Sequence, residues 1–333
     1  MILEEGARVP VDFDWAKPEL PPYYDKKKYQ MGQQAFCNNF FSMMIGKLSG
    51  LVSLYSIKSI LDVIMYTKQS HIPCLAYRRY AMTIFHVLVW LEEDPEKSKE
   101  FLKSLKIVRK KHCVAFKKST EAGLQRPTQL DMCLTQFGFI GYILIGTENL
   151  GIKVTHEEME GLVHVWRIIG SMLGMEEKFN LCSGTVEEAR GLCQNILDKV
   201  FIPALTNKNE HFDSMSQAML ESLSAMSFAI QPQAFIMFTY YLASISASNN
   251  NHSIRIDTSG MSFYNWYLFN LQCFVLKYLM RPSAWWSSFF RAIYNSMLQL
   301  SLIIAKKYPY FSTANWRYGE KYSDVNIFRY NFD

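Results

Sequence analysis

Arg79, Thr83 and His86 fall on one face of the segment YRRYAMTIFH (residues 77–86), with Met82 alongside, because residues three and four apart are neighbours on a helix. A guanidinium on an otherwise apolar helix can pair with a carboxylate. A hydroxyl can hydrogen-bond a small bound molecule or a water, and an imidazole can exchange a proton or ligate a metal. His112 is the second candidate. It interrupts an apolar stripe of Phe101, Leu105, Val108, Ala115 and Phe116, so its ring should point inward. Lys99, Lys103, Lys106, Arg109, Lys110, Lys111, Lys117 and Lys118 occupy the other faces of that helix. An imidazole directed into apolar space from a cationic helix fits the axial ligand of an anionic porphyrin, with Arg109 and His86 counted among the side chains around it. Each feature also has a plainer alternative: His112 as a hydrogen-bonded core histidine, the lysines as a solvated face, Arg79 as half of a buried ion pair with Asp131 or Glu148.

Two further pairs, His164 with Arg167 and Asp131 with Thr135, read equally well as capping or network pairs. Cys113 is a conceivable thiolate ligand, but it lies about 100° round the helix from the inward stripe, so histidine is preferred. No histidine has a glutamate three residues before it, which removes the di-iron carboxylate bundles. HExxH, GxxxxGK, GxGxxG and GxSxG are all missing.

The elements that must position these residues read as helices. PCLAYRRYAMTIFHVLVWL (73–91) opens on Pro73 at a first-turn position and stops at EEDPEK, where Pro95 can start the next helix, to about residue 118. THEEMEGLVHVWRIIGSMLG begins with Thr155 and Glu158, a capping box, and its Gly170 and Gly174 are four apart, as close helix packing uses them. Residues 38–67 are apolar on most sides, which marks a central helix or two. Residues 222–253 contain no charge but carry Gln231, Pro232 and Gln233 mid-run, which suits a buried helix pair or an interfacial segment better than a membrane span.

Three regions follow. Residues 1–32, with four of the 11 prolines and a lysine run at 26–28, read as an extended arm, helical patterning beginning near Gln33. Residues 33–250 hold the candidate site. Residues 251–333 follow the loop ASNNNHS and form an aromatic-rich helical region whose Lys277, Arg281 and Arg291 are widely spaced. Bulky aromatics beside sparse cations suit a membrane surface, an ordinary core helix pair being the alternative.

Composition sets the class. Of 333 residues 49% are hydrophobic, while 16 Gly and 11 Pro leave few breakers for many short strands, so an all-α multi-helix bundle is expected. The net charge of +5 has no interleaved basic and aromatic strip behind it, which argues against nucleic acid and fits an anionic membrane surface or cofactor equally well. Seven cysteines without a CxxC read as reduced thiols. Acids at the start, where a signal peptide needs a basic end and an apolar core, predict an intracellular, unsecreted protein.

The order of features is more specific than any one of them. An apolar helix with Arg79-x-x-x-Thr83, then 29 residues to the histidine of VRKKHCVAF, then DMCLTQFGFIGYILIG and HVWRIIGSMLGM, resembles the rubber oxygenase (latex-clearing protein) and MpaB family over about residues 33–240. The resemblance implies an all-helical, globin-like haem b fold. It implies His112 as proximal iron ligand, Arg79 and Thr83 on the pocket helix, and a reaction in which dioxygen cleaves C=C bonds of isoprenoid chains to carbonyl products. Two departures stand out. The rubber-cleaving branch has a lysine where this chain has Met82, so distal control differs and polyisoprene is a doubtful substrate. TQFGF stands where many relatives have tryptophan, so the substrate channel is reshaped. The MpaB branch is bound to the endoplasmic reticulum membrane, in keeping with the aromatic C-terminal region. The expectation is a haem b oxygenase taking dioxygen and a lipophilic substrate near a membrane, with no protein partner inferable. A helical lipid-binding scaffold that lost the chemistry and a haem sensor are the competing readings.

Overall fold

The computed structural model describes residues 2–12, 18–227, 230–248, 254 and 256–329. Every regular element among them is a helix, and the lone β contact is an isolated bridge between Pro10 and Thr128, so the chain is all-α. The helices are α1 (Ile2–Glu5), α2 (Lys26–Asn38), α3 (Phe40–Leu54), α4 (Lys58–Tyr66), α5 (Pro73–Glu92), α6 (Lys99–Glu121), α7 (Gln129–Ile145), α8 (His156–Met172), α9 (Val186–Ile196), α10 (Ile202–Thr206), α11 (Phe212–Leu223), α12 (Pro232–Ser246), α13 (Phe263–Phe274), α14 (Ser287–Lys307), α15 (Thr313–Tyr318) and α16 (Glu320–Ser323). Short π-turns extend α9 into α10 and prolong α13 to Leu279.

Local chemistry fixes where the helices begin. Capping boxes open α7 (Thr128 with Asp131), α8 (Thr155 with Glu158) and α9 (Thr185 with Glu188), each satisfying two orphan amide groups. Pro73 occupies the first turn of α5. α6 starts at Lys99, later than Pro95, because Ser98 accepts from the Phe101 amide while Pro95 lies in the preceding turn.

The N-terminal arm differs from the extended segment expected over residues 1–32. α2 starts at Lys26 because the Asp25 side chain accepts from the Lys28 amide, which makes the lysine run the first turn of a helix. Ile2–Glu5 is itself a helical turn. The chain after it is zipped to the start of α7 by Leu130 N–H to Gly6 C=O, Gln129 N–H to Val9 C=O and Val11 N–H to Pro127 C=O.

α3 crosses α7 with backbones touching, since a Cβ at Gly50 would fall on the Gly138 carbonyl. Gly170 and Gly174 do not act as a pair. A Cβ at Gly170 would meet the Gln136 amide at 2.8 Å, whereas Gly174, at φ +99°, lies just past the end of α8 and terminates it.

Residues 222–253 resolve into the end of α11 and the whole of α12, which starts with Pro232 in its first turn, and the expected loop at 247–253 lies outside the described residues from 249. The described part of residues 251–333 shares the core of the preceding helices. Phe269, Val275, Met280, Leu302 and Ala305 belong to one continuous apolar cluster with Phe101, Phe137 and Phe201. Arg291 of α14 is buried and donates to Asn39 Oδ1 (2.8 Å) and to the Gly151 (2.7 Å) and Met280 (3.1 Å) carbonyls, locking α14 onto the front of α3. No single helix among the described residues is long and apolar enough to cross a membrane; α3 and α4 pass by length and composition only as a pair, bent by 91°.

Candidate functional site

α5 and α6 present all of their singled-out residues but Arg109 and Cys113 to one cavity of about 1110 Å³. Arg79, Met82, Thr83 and His86 from α5, and Val108, His112, Ala115 and Phe116 from α6, all line it. α3, α4, α7 and α8 complete the inner walls, and α13 and α14 close the far side. The apolar stripe of α6 therefore faces the cavity at its C-terminal half and the core at Phe101 and Leu105. Cys113 is buried but does not line the cavity.

His112 is held neutral. Burial, reinforced by the positive charges of Arg79 and Lys111, pulls its imidazole down to about 4. Its Nδ1 is buried without a hydrogen-bond partner among the described residues, and its ring stacks on Phe116 at 5.8 Å. A core histidine of the ordinary kind would have that nitrogen satisfied.

His86 is neutral as well, at about 3, through burial and then the charges of Lys111 and His112. Its Nδ1 lies 2.8 Å from Ser104 Oγ, which also accepts from Trp90 Nε1 at 2.9 Å. Trp90 can only donate, so the arrangement that uses every proton has Ser104 donating to Nδ1 and the ring proton on Nε2. That Nε2 is buried and unpartnered among the described residues on a residue of the cavity wall, which leaves His86 a neutral donor for a group that reaches it.

Arg79 donates to Thr67 Oγ1 at 2.7 Å. No ion pair joins it to Asp131 or Glu148 among the described residues, and burial lowers its proton affinity. Asp131 instead accepts from Ser59 Oγ at 2.6 Å and serves the α7 capping box. The Thr83 hydroxyl donates to the Arg79 carbonyl at 3.1 Å, so only its oxygen is available to a ligand unless that bond opens. Met82 lies 3.9 Å from the Lys111 amine, so a lysine reaches this place from α6 although position 82 carries none.

Arg109 does not line the cavity. It lies one residue beyond the inward Val108, and its guanidinium donates to the Met172 carbonyl at 3.3 Å, where a cation complements the C-terminus of α8. His164 and Arg167 are also outside: His164 Nε2 accepts from the Asp25 amide (2.9 Å), and Arg167 pairs with Glu177.

Lys47, which the sequence reading passed over, lines the cavity from α3. It is 8% exposed, its amine lies 5.4 Å from the Phe139 ring, and no carboxylate pairs with it among the described residues. Burial pulls it down to about 7. Its signal was a single lysine in the otherwise uncharged helix FFSMMIGKLSGLVSL. Seven basic side chains, Arg79 and the partly neutral Lys47 among them, line the cavity and its rim, where Lys68 and Lys118 are exposed, against the one carboxylate of Asp131. The lining accordingly favours a largely apolar ligand whose negative charge sits towards the rim and Arg79.

No protein-family model and no curated protein matches this sequence. Among solved structures, latex clearing protein in its closed state superposes with a TM-score of 0.51 at 14% identity, over 86% of this chain and 76% of that one. At that identity the likeness establishes a shared fold.

Proposed function

We propose that this chain is a haem b-dependent oxygenase that uses dioxygen on a lipophilic substrate, with His112 as the protein ligand to iron. The observation that carries the reading is the state of His112: a neutral imidazole on the wall of a mostly apolar cavity, presented from a cationic helix, whose buried Nδ1 has no partner among the described residues. No group of three His, Cys, Asp or Glu among the described residues could hold a bare ion. His112 therefore suits iron whose other ligands come from a macrocycle. The cationic lining suits the macrocycle's carboxylates, and the fold shared with latex clearing protein agrees with the resemblance in motif order.

Haem supplies the dioxygen chemistry that no side chain of this cavity possesses. The chain's own residues do the rest. Arg79, held by Thr67, keeps further N–H donors for a carboxylate or a polar substrate atom. His86 donates from Nε2, and Thr83 accepts or, on leaving the Arg79 carbonyl, donates. The apolar walls, Phe139 stacked on Trp166 at 5.1 Å among them, exclude water and hold an alkene chain.

The test is an absorption spectrum with haemochrome quantification on protein expressed with ample haem, beside His112→Ala. Near-stoichiometric haem b that is lost in the variant and regained with imidazole supports the assignment. A variant that retains full haem removes it, and a colourless, folded wild type moves the lead to a lipid-binding scaffold.

A further inference from the structure

Of the 22 large apolar side chains that stand exposed among the described residues, 18 lie between Phe263 and Trp316. They are ordered. On α13 and the π-turn after it, Phe263, Tyr267, Leu271, Phe274 and Tyr278 recur at spacings of three and four, one outward stripe. On α14, Phe289, Ile293, Met297 and Leu300 form a second. A surface helix normally turns such a stripe inward. Here the inward faces are apolar too, because Leu268 and Val275 of α13 and Leu298 and Leu302 of α14 line the cavity.

The charge pattern says what covers this face. Residues 258–319 contain no aspartate or glutamate, while Lys277, Arg281, Lys306, Lys307 and Arg317 are distributed along them. Trp285 and Trp316 are 88% and 85% exposed, and tryptophan and tyrosine beside lysine and arginine are the residues that settle at a lipid headgroup boundary. We propose that the outer face of α13 and α14 docks on an anionic lipid bilayer and that lipophilic molecules enter the cavity from the bilayer between these two helices. α14 lies in the plane of the surface, its buried Arg291 tying it to α3.

Leu271 marks the opening. It is 38% exposed on the docking stripe and also lines the cavity. The next residue, Gln272, also lines the cavity, and its amide nitrogen is buried and unpartnered among the described residues, a donor for an oxygen carried by the entering molecule. The docking face stands independently of the oxygenase reading, whereas entry deepens it by naming the route of a membrane-dissolved substrate.

Vesicle co-sedimentation of the full chain tests docking, with phosphatidylcholine alone or mixed with phosphatidylserine. Binding should favour the anionic vesicles, fall by about thirtyfold in Lys306→Glu/Lys307→Glu, and vanish in Trp285→Ser/Phe289→Ser/Trp316→Ser. These side chains are exposed, and unchanged circular dichroism certifies the fold. No vesicle binding overturns docking; so does a concentration-dependent dimer in light scattering that the triple substitution abolishes, because the face then belongs to a second copy. Entry is read by transfer of a pyrene-labelled fatty alcohol from vesicles, using tryptophan-to-pyrene energy transfer. Leu271→Phe, which narrows the opening without adding a tryptophan donor, should slow transfer per vesicle-bound molecule, with docking of the same variant measured by co-sedimentation. Transfer at the wild-type rate overturns entry by this route, and loss of haem in His112→Ala with docking intact separates the two readings.

Discussion

The imidazole of His86 and the indole of Trp90, one turn apart on α5, meet on a single oxygen of α6, Ser104 Oγ, at 2.8 and 2.9 Å. One hydroxyl thereby fixes the angle between two helices and the tautomer of the ring that looks into the cavity.

Nitrogen-15 correlation spectra of the apoprotein should show His86 neutral at pH 7 with its proton on Nε2. A proton on Nδ1 would sink the donor role argued for this residue. Ser104→Ala should shift the tautomer balance and cost about 1–3 kcal/mol, since the buried Trp90 N–H is left unpaired.

Lys47 gives the chain a stability that depends on alkaline pH. The unfolded amine titrates near 10.5 and the folded one at about 7, so between these values the unfolded state binds the extra proton. Stability rises with pH across that window, and below about 7 the cost of burying the charge is present in full. Lys47→Met should therefore raise Tm at pH 6.5 by several degrees, and the gain should shrink towards pH 10. A pH-independent difference would show that the amine is solvated in the folded protein.

Arg79 and Arg109 should separate cleanly. Arg79→Met removes a cavity cation and should weaken haem retention, read as Soret absorbance after gel filtration, by about tenfold. Arg109→Ala should leave that absorbance intact and lower Tm, because its partner is the Met172 carbonyl. Equal haem loss in both would place Arg109 in the pocket after all.

What could be read from the sequence was whatever a single helix decides for itself. Arg79, Met82, Thr83 and His86 share a face by 3.6-residue geometry, and the Thr155 and Glu158 box announces its own helix. His112 points inward because its neighbours at helical spacing are apolar. What could not be read was decided between helices. Periodicity turned Arg109 off the stripe, but only the end of α8 supplied the carbonyl that holds it. Nothing local reveals that Ser104 serves two side chains from α5, or that the lone lysine of α3 points to the cavity and not to the outer surface. The start of α2 was missed for a milder reason: prolines at 18, 21 and 22 outweighed the Asp25 cap that follows them.

The touching backbones of Gly50 and Gly138 have a bearing on how this cavity could ever change its guest. The helices carrying Lys47 and Phe139 are clamped main chain to main chain, so no exchange of side chains can draw them closer. That wall is a fixed jaw. Adaptation to longer, shorter or bulkier molecules is left to the other walls, among them α13 and α14, the same helices that present aromatic rings to the outside. The environment that delivers the guest and the surface that measures it are then one piece of protein, and selection on either acts on both.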